Sequence, residues 1–184
     1  MTERLVLALD GHDGAGKTTI ASALALRLGG VAVRPFAGAT GGALFEAGQR
    51  EDVDALIEIG GAAIETAVST APKGCLVVLD RAWMTVASFM PGSEAFFSQW
   101  QFWVPTALCW IPLEVTLSRL ACRVDEDTEP VEWHERYLET YLKLAQRSGS
   151  LVLRTDHEDV SSCVDRLEIW ARETGYRKNK PPFP

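Results

Sequence analysis

Apolar residues in this chain follow two rhythms: continuous runs of strand length, and longer stretches with apolar positions three and four residues apart, the spacing of one helix face. Residues 5–10 form the first run, and residues 19–28 the first helical pattern. Residues 30–36 predict a short second strand closed by a proline, and Gly38-Ala39-Thr40-Gly41-Gly42 a flexible turn. Helices are expected over 43–50 and 53–70; the second carries the stripe Val53, Leu56, Ile57, Ile64 and Val68 and is stopped by Pro72-Lys73-Gly74. Residues 75–80 are apolar up to Asp80, as in a central strand buried on both faces. Residues 83–103 predict a helix broken near Pro91-Gly92, residues 107–111 a fourth strand and residues 113–123 a helix. An acidic stretch over 125–130 follows, then a helix over 131–147, a fifth strand over 151–154 and a last helix over 158–173.

Strands alternating with helices predict an α/β fold, a parallel sheet covered on both faces. We expect a single domain over 1–176 and a loosely held basic, Pro-rich tail over 177–184. Ligands of such sheets bind beyond the carboxyl ends of the strands. That geometry directs attention to Asp10, Arg34, Asp80, Arg81, the Pro112 region and residues 154–156.

Between the first strand and the first helix lies Gly11-His12-Asp13-Gly14-Ala15-Gly16-Lys17-Thr18, the G-x-x-x-x-G-K-[ST] spacing of a phosphate-binding loop. Glycines let main-chain N–H groups turn inward onto a polyphosphate, and the helix that follows presents its positive end there. Lys17 would reach the outer phosphates, while the Thr18 hydroxyl would hold Mg²⁺. The strand–loop–helix setting separates this reading from an ordinary Gly-rich turn. Gly11, Asp13, Gly14, Ala15, Gly16, Lys17, Thr18 and Thr19 are therefore the expected ATP contacts, together with Arg119 from the helix over 113–123.

Composition changes this picture little. The 184-residue chain has 47% hydrophobic and 23% charged residues, in the range of a globular protein. Its net charge of −7 argues against polymeric nucleic acid or an anionic membrane as partner. The absence of a signal segment or membrane-length run leads us to expect a cytoplasmic protein. Cys75, Cys109, Cys122 and Cys163 are scattered, as reduced packing residues would be, without C-x-x-C pairing.

Asp80 and Arg81 come directly off the third strand. They form either a surface salt bridge or a working pair, with the carboxylate orienting Mg²⁺ through its water shell and the guanidinium gripping a phosphoryl group. Asp10 is a further metal candidate. Arg119 and Arg123 share one helix face before the acidic stretch; they either pair with local carboxylates or close as a lid near 123–131 onto the transferring group, with Arg136 at the same flank. Asp13 would turn its carboxylate to the acceptor. His12 reads as loop filler, His134 and His157 as surface residues, and Phe36 and Trp83 as candidates for base stacking.

These residues together resemble the thymidylate kinase family of P-loop nucleoside monophosphate kinases. Residues 9–19 are similar to that family's acidic-G-x-D-G-A-G-K-T-T start, and Asp80-Arg81 resembles its D-R-Y element. Arg34-Pro35 with the Gly38–Gly42 turn is more loosely similar to its R-E-P-G-G-T segment, and Tyr137 to Ala145 to the helix after its lid. The resemblance implies a three-layer P-loop fold with five parallel strands in the order 2-3-1-4-5, ATP and Mg²⁺, and often a homodimer. It further implies that Asp13 touches the acceptor sugar, that Arg34, Arg81 and Arg50 hold the acceptor phosphate, and that Arg123 acts as the lid arginine. Two departures bear on the acceptor: Ala82 and Trp83 follow Asp-Arg, and Glu58-Ile59-Gly60-Gly61 stands where an arginine would read the thymine edge.

The expected function is thus ATP-dependent phosphoryl transfer to a nucleoside monophosphate, catalysed by Lys17, Asp80, Arg81 and Arg123. The alternative is a kinase acting on a hydroxyl of a deoxynucleoside or other small metabolite, which favours a nearby carboxylate base. A GTP-binding switch would carry N-K-x-D after a strand, and the only Asn-Lys here lies in the tail. A nucleotide-binding module without catalysis is opposed by Lys17, Thr18, Asp80 and Arg81 standing together.

Overall fold

The computed structural model describes residues 5–90, 92–122 and 129–174. Arg123, most of the acidic stretch and the basic tail lie outside the described residues. Five strands, β1 (Val6–Asp10), β2 (Val31–Val33), β3 (Val77–Asp80), β4 (Thr106–Trp110) and β5 (Val152–Arg154), form one parallel sheet in the order β2-β3-β1-β4-β5. Among the described residues eight helices flank the sheet: α1 (Lys17–Arg27), α2 (Ala39–Gln49), α3 (Val53–Thr70), α4 (Trp83–Ala87), α5 (Glu94–Gln99), α6 (Leu113–Ala121), α7 (Val131–Ser148) and α8 (Val160–Thr174).

Strand periodicity sorts the sheet's side chains onto two cores. Val6, Ala8, Val77, Leu79 and Leu108 face the core that α3, α4 and α7 cover. Leu7, Leu9, Val78, Ala107, Cys109 and Leu153 face the core beneath α1 and α8. Residues 6–9 of β1 are fully buried. At about 1.5–3 kcal/mol for each buried Val or Leu side chain, this double coverage holds the strand that launches the phosphate loop.

Two expectations about elements are corrected. The glycine-rich segment is no free turn: Gly38, at φ 59°, is the N-cap of α2, which already starts at Ala39 and takes Gly41 and Gly42 into the helix. The long helix over 83–103 is only α4 and α5, with the chain extended from Trp100, where ψ is 127°. Pro105 disfavours helix just before it, and Trp100 and Trp103 leave the helical path to fill the core. The Gly60–Gly61 pair of α3 is a packing device. A Cβ at Gly60 would stand 2.8 Å from Val86 Cγ2, and one at Gly61 2.4 Å from the Phe102 ring.

Candidate active site

The carboxyl ends of β1 and β3 set up the site. Gly11 leaves β1 at φ 142°, and a Cβ there would lie 2.1 Å from the Cys109 carbonyl, so only glycine lets the chain turn this close to β4. Gly14 and Gly16 also take positive φ, and Gly16 is the N-cap of α1. The loop is braced from outside. Arg119 donates to the carbonyls of Gly14 (2.9 Å) and Thr155 (3.2 Å), and the Thr155 hydroxyl donates to the carbonyl of Ala15 (2.9 Å). Arg119 thus reaches the expected loop, where it holds the loop's main chain.

Beyond this loop lies a polar cavity of about 160 Å³, bounded by Asp13, Gly14, Gly16, Lys17, Thr18, Thr19, Arg34, Asp80 and Arg81. Lys17 is 5% exposed and its Nζ donates to the His12 carbonyl (2.7 Å). Burial, with help from the Arg81 charge, lowers the Lys17 ammonium to about 8, against the opposing pull of Asp13 and Asp80. The Thr18 hydroxyl donates to Asp80 Oδ2 (2.5 Å), which also lies 3.4 Å from Arg34 Nε. Asp80 Oδ1 is buried without a hydrogen-bond partner among the described residues. An orphaned carboxylate oxygen beside a threonine hydroxyl at a phosphate loop suits a divalent cation and its water shell. Thr18 and Asp80 therefore fit the expected metal.

Asp10 does not. Its oxygens accept from the N–H groups of Ala82 (3.0 Å), Met84 (3.1 Å) and Thr85 (3.2 Å) and from the Thr85 hydroxyl (2.5 Å). A fully buried carboxylate so engaged fixes the start of α4 and has no face for a metal. Burial raises its carboxyl above the ordinary value despite these donors.

Arg81 follows β3 in the left-handed region at φ 83°, a conformation unusual for a residue with a Cβ. Its N–H donates to the Leu9 carbonyl (2.9 Å) and its guanidinium to the Gly11 carbonyl (3.3 Å), and it is ion-paired with Asp13. Burial would raise the Asp13 carboxyl, but Arg81 and Lys17 outweigh it and hold the group at about 2. Asp13 and Arg81 also line a second cavity of about 190 Å³, whose walls include Phe36 and Phe45, Thr85 within α4 and Ser88 at its C-terminal end, and Trp133 and Tyr137 of α7. The ion pair therefore stands between a polar hollow and an aromatic one.

Phe36 lies in the aromatic wall, as expected of a stacking residue. Trp83 does not: it is 1% exposed and packs edge-on against Trp103, 5.2 Å between centroids. As the first residue of α4 it points into the core. Arg50 ends α2 with a 61% exposed side chain, 3.9 Å from Glu46, and lines neither cavity.

Sequence reasoning missed the histidines. His12 and His134 are 4% and 3% exposed, and His12 Nε2 lies 2.8 Å from His134 Nδ1. The His12 ring also stacks on Tyr137 (6.0 Å, 8°) and meets Trp133 at 5.3 Å. Burial lowers His12 to about 4, so at neutral pH its ring is uncharged. The W-H-x-x-Y register of α7 carried the signal, since Trp133, His134 and Tyr137 share one face, but only the fold shows what that face meets. His157, 63% exposed, is at the surface as expected.

No family model matches the chain, and no curated protein matches it in sequence. Solved structures do match in fold. Deoxyadenosine kinase from M. mycoides with products dCMP and a flexible dCDP bound superposes with TM-score 0.63 at 14% identity, over 92% of this chain and 100% of that one. The same enzyme with bound dATP gives 0.64 at 14% identity over the same shares. The YorR protein of Bacillus subtilis, in complex with phosphorylated GDP, gives 0.62 at 14% identity, over 94% of this chain and 98% of that one. The five-stranded 2-3-1-4-5 sheet and its surrounding helices are thus the fold of P-loop kinases.

Proposed function

We propose that this chain is an ATP-dependent kinase that passes the γ-phosphoryl group from the polar cavity to a small acceptor in the aromatic one. One observation carries the reading: both cavities share the Asp13–Arg81 pair as a common wall. Transfer between phosphate oxygens asks the protein mainly for positioning and charge neutralisation. Loop N–H groups, the start of α1 and Lys17 hold the donor phosphates. Thr18 and Asp80 would hold Mg²⁺, which supplies charge neutralisation on those phosphates. Arg81, reaching both hollows, grips the group in transit, and Arg34 at the polar rim adds a second cation.

The acceptor is a nucleoside monophosphate in the leading reading, its phosphate lying toward Arg81 and its base among Phe36, Phe45 and Trp133. The cytoplasmic setting, the homodimer and the lid arginine Arg123 belong to this reading as proposals. A nucleoside hydroxyl is the second reading. It is favoured by Asp13, an ionised carboxylate on the acceptor side able to receive the hydroxyl's hydrogen bond, and by the deoxyadenosine kinase likeness. A coupled ADP-release screen with ATP and Mg²⁺ against nucleoside monophosphates, nucleosides and small alcohols tests both. Turnover of monophosphates supports the leading reading, and turnover of unphosphorylated compounds alone replaces it with the second. No turnover of any acceptor overturns the kinase assignment.

A further inference from the structure

Three separate contacts converge on His12. Its carbonyl receives the Lys17 ammonium (2.7 Å), its ring nitrogen meets His134 (2.8 Å), and its ring face packs on Trp133 and Tyr137. The first contact belongs to the donor site and the other two to α7, which walls the acceptor cavity. His12 is one residue from Gly11, where the turn passes so close to β4 that a Cβ would stand 2.1 Å from the Cys109 carbonyl. A buried imidazole needs a partner for its polar nitrogen, and His134 supplies it.

We propose that the buried His12–His134 pair is a positioning element of the phosphate-transfer site, anchoring the phosphate loop to α7 so that the His12 carbonyl presents Lys17 to the triphosphate. The pair touches no reacting group. It acts through Lys17 and through the loop's main chain, and it makes the acceptor wall and the donor lysine one packed unit. The uncharged His12 ring suits the task, since one ring of the pair donates and the other accepts. Without His134, the His12 nitrogen is left buried and unpaired, and relief requires the loop to move.

The inference rests on the triphosphate-binding part of the proposed function, and binding of a nonhydrolysable ATP analogue with Mg²⁺ tests it without an acceptor. His134→Leu removes the ring partner. His134→Asn keeps a polar atom near the position of Nδ1. All titrations are run well below the unfolding transition of each variant, with folding checked by circular dichroism. His134→Leu should weaken analogue binding about tenfold, the loss of one buried hydrogen bond, and His134→Asn should restore most of it. The His12→Met and His134→Leu losses should be strongly non-additive, the double variant binding about as well as the weaker single one. Equal binding by His134→Leu and His134→Asn, or additive losses, overturns the pairing role while leaving the triphosphate site intact. Failure of the wild-type protein to bind the analogue overturns both.

Discussion

Replacing Arg81 by glycine separates its proposed catalytic role from its structural value. Arg81 sits at φ 83°, where a Cβ costs about 1–2 kcal/mol, and glycine releases that strain. Against this stand about 0.5–1 kcal/mol for glycine's extra chain entropy and up to about 1 kcal/mol for the lost ion pair with Asp13, whose side chain is 41% exposed and regains water. Gain and loss nearly cancel, so stability should stay within about 1 kcal/mol, or about 4 °C in Tm for a chain of this size. Turnover should behave differently. The guanidinium reaches both cavities, and removing a group that stabilises the transferring charge typically costs about 10²–10³ in rate. Thermal unfolding and ADP release at saturating ATP, Mg²⁺ and acceptor are measured on the same preparation. Arg81→Lys, which keeps the charge and the strained backbone, should recover only part of the rate because an ammonium cannot span Asp13 and a phosphoryl group together. A drop in Tm of about 8 °C or more, or unchanged turnover in Arg81→Gly, would refute the reasoning.

Asp80→Asn keeps shape but removes the charge behind the orphaned Oδ1, and should raise the Mg²⁺ concentration needed for ATP-analogue binding about 10–100-fold; a titration overlaying the wild type would remove Asp80 from the metal site. Lys17 falls from its ordinary 10.5 to about 8 in the folded chain, so above pH 8 the free site loses its ammonium and triphosphate binding must take up a proton. Affinity should then decline by up to about tenfold per pH unit from pH 8 upward, and a Lys17→Met variant showing the same slope would assign the titration elsewhere. The sign for folding is opposite: the unfolded chain holds the extra proton between about pH 8 and 10.5, so this lysine's contribution to stability rises with pH across that window. Gly60→Ala gains helix propensity of about 1 kcal/mol yet forces a methyl 2.8 Å from Val86, and we expect net destabilisation of about 1–2 kcal/mol by chemical denaturation; a stabilised variant would contradict the packing at α3.

Much of the fold was legible because buried parallel strands write themselves as continuous apolar runs. Val6–Leu9 and Val77–Leu79 are buried on both faces, so nothing polar interrupts them before Asp10 and Asp80. The phosphate loop was legible for a similar reason: backbone dihedrals and a lysine at fixed spacing are properties of a contiguous segment. What failed was long-range. Trp83 follows a strand-end arginine, but Asp10, far away in sequence, captures the N–H groups of the next turn and points that tryptophan inward. Asp10 itself looked like a metal ligand until those donors were placed. His12 and His134 are 122 residues apart, and no local pattern reports a pair made across α7 and the loop. Gly60 and Gly61 stood where a base-reading side chain was expected, and the structure explains them by the proximity of Val86 and Phe102.

A crystal structure with a nonhydrolysable ATP analogue and Mg²⁺ bears most directly on the central claim that these main-chain amides and Lys17 enclose a triphosphate beside the Asp13–Arg81 wall. Phosphates are expected in the hollow bounded by Gly14, Gly16 and Lys17, with Lys17 Nζ reaching from beside the His12 carbonyl to donate to a phosphate oxygen and the metal between Thr18 and Asp80. An analogue bound elsewhere, or Lys17 still on His12 with the hollow empty, would contradict that claim.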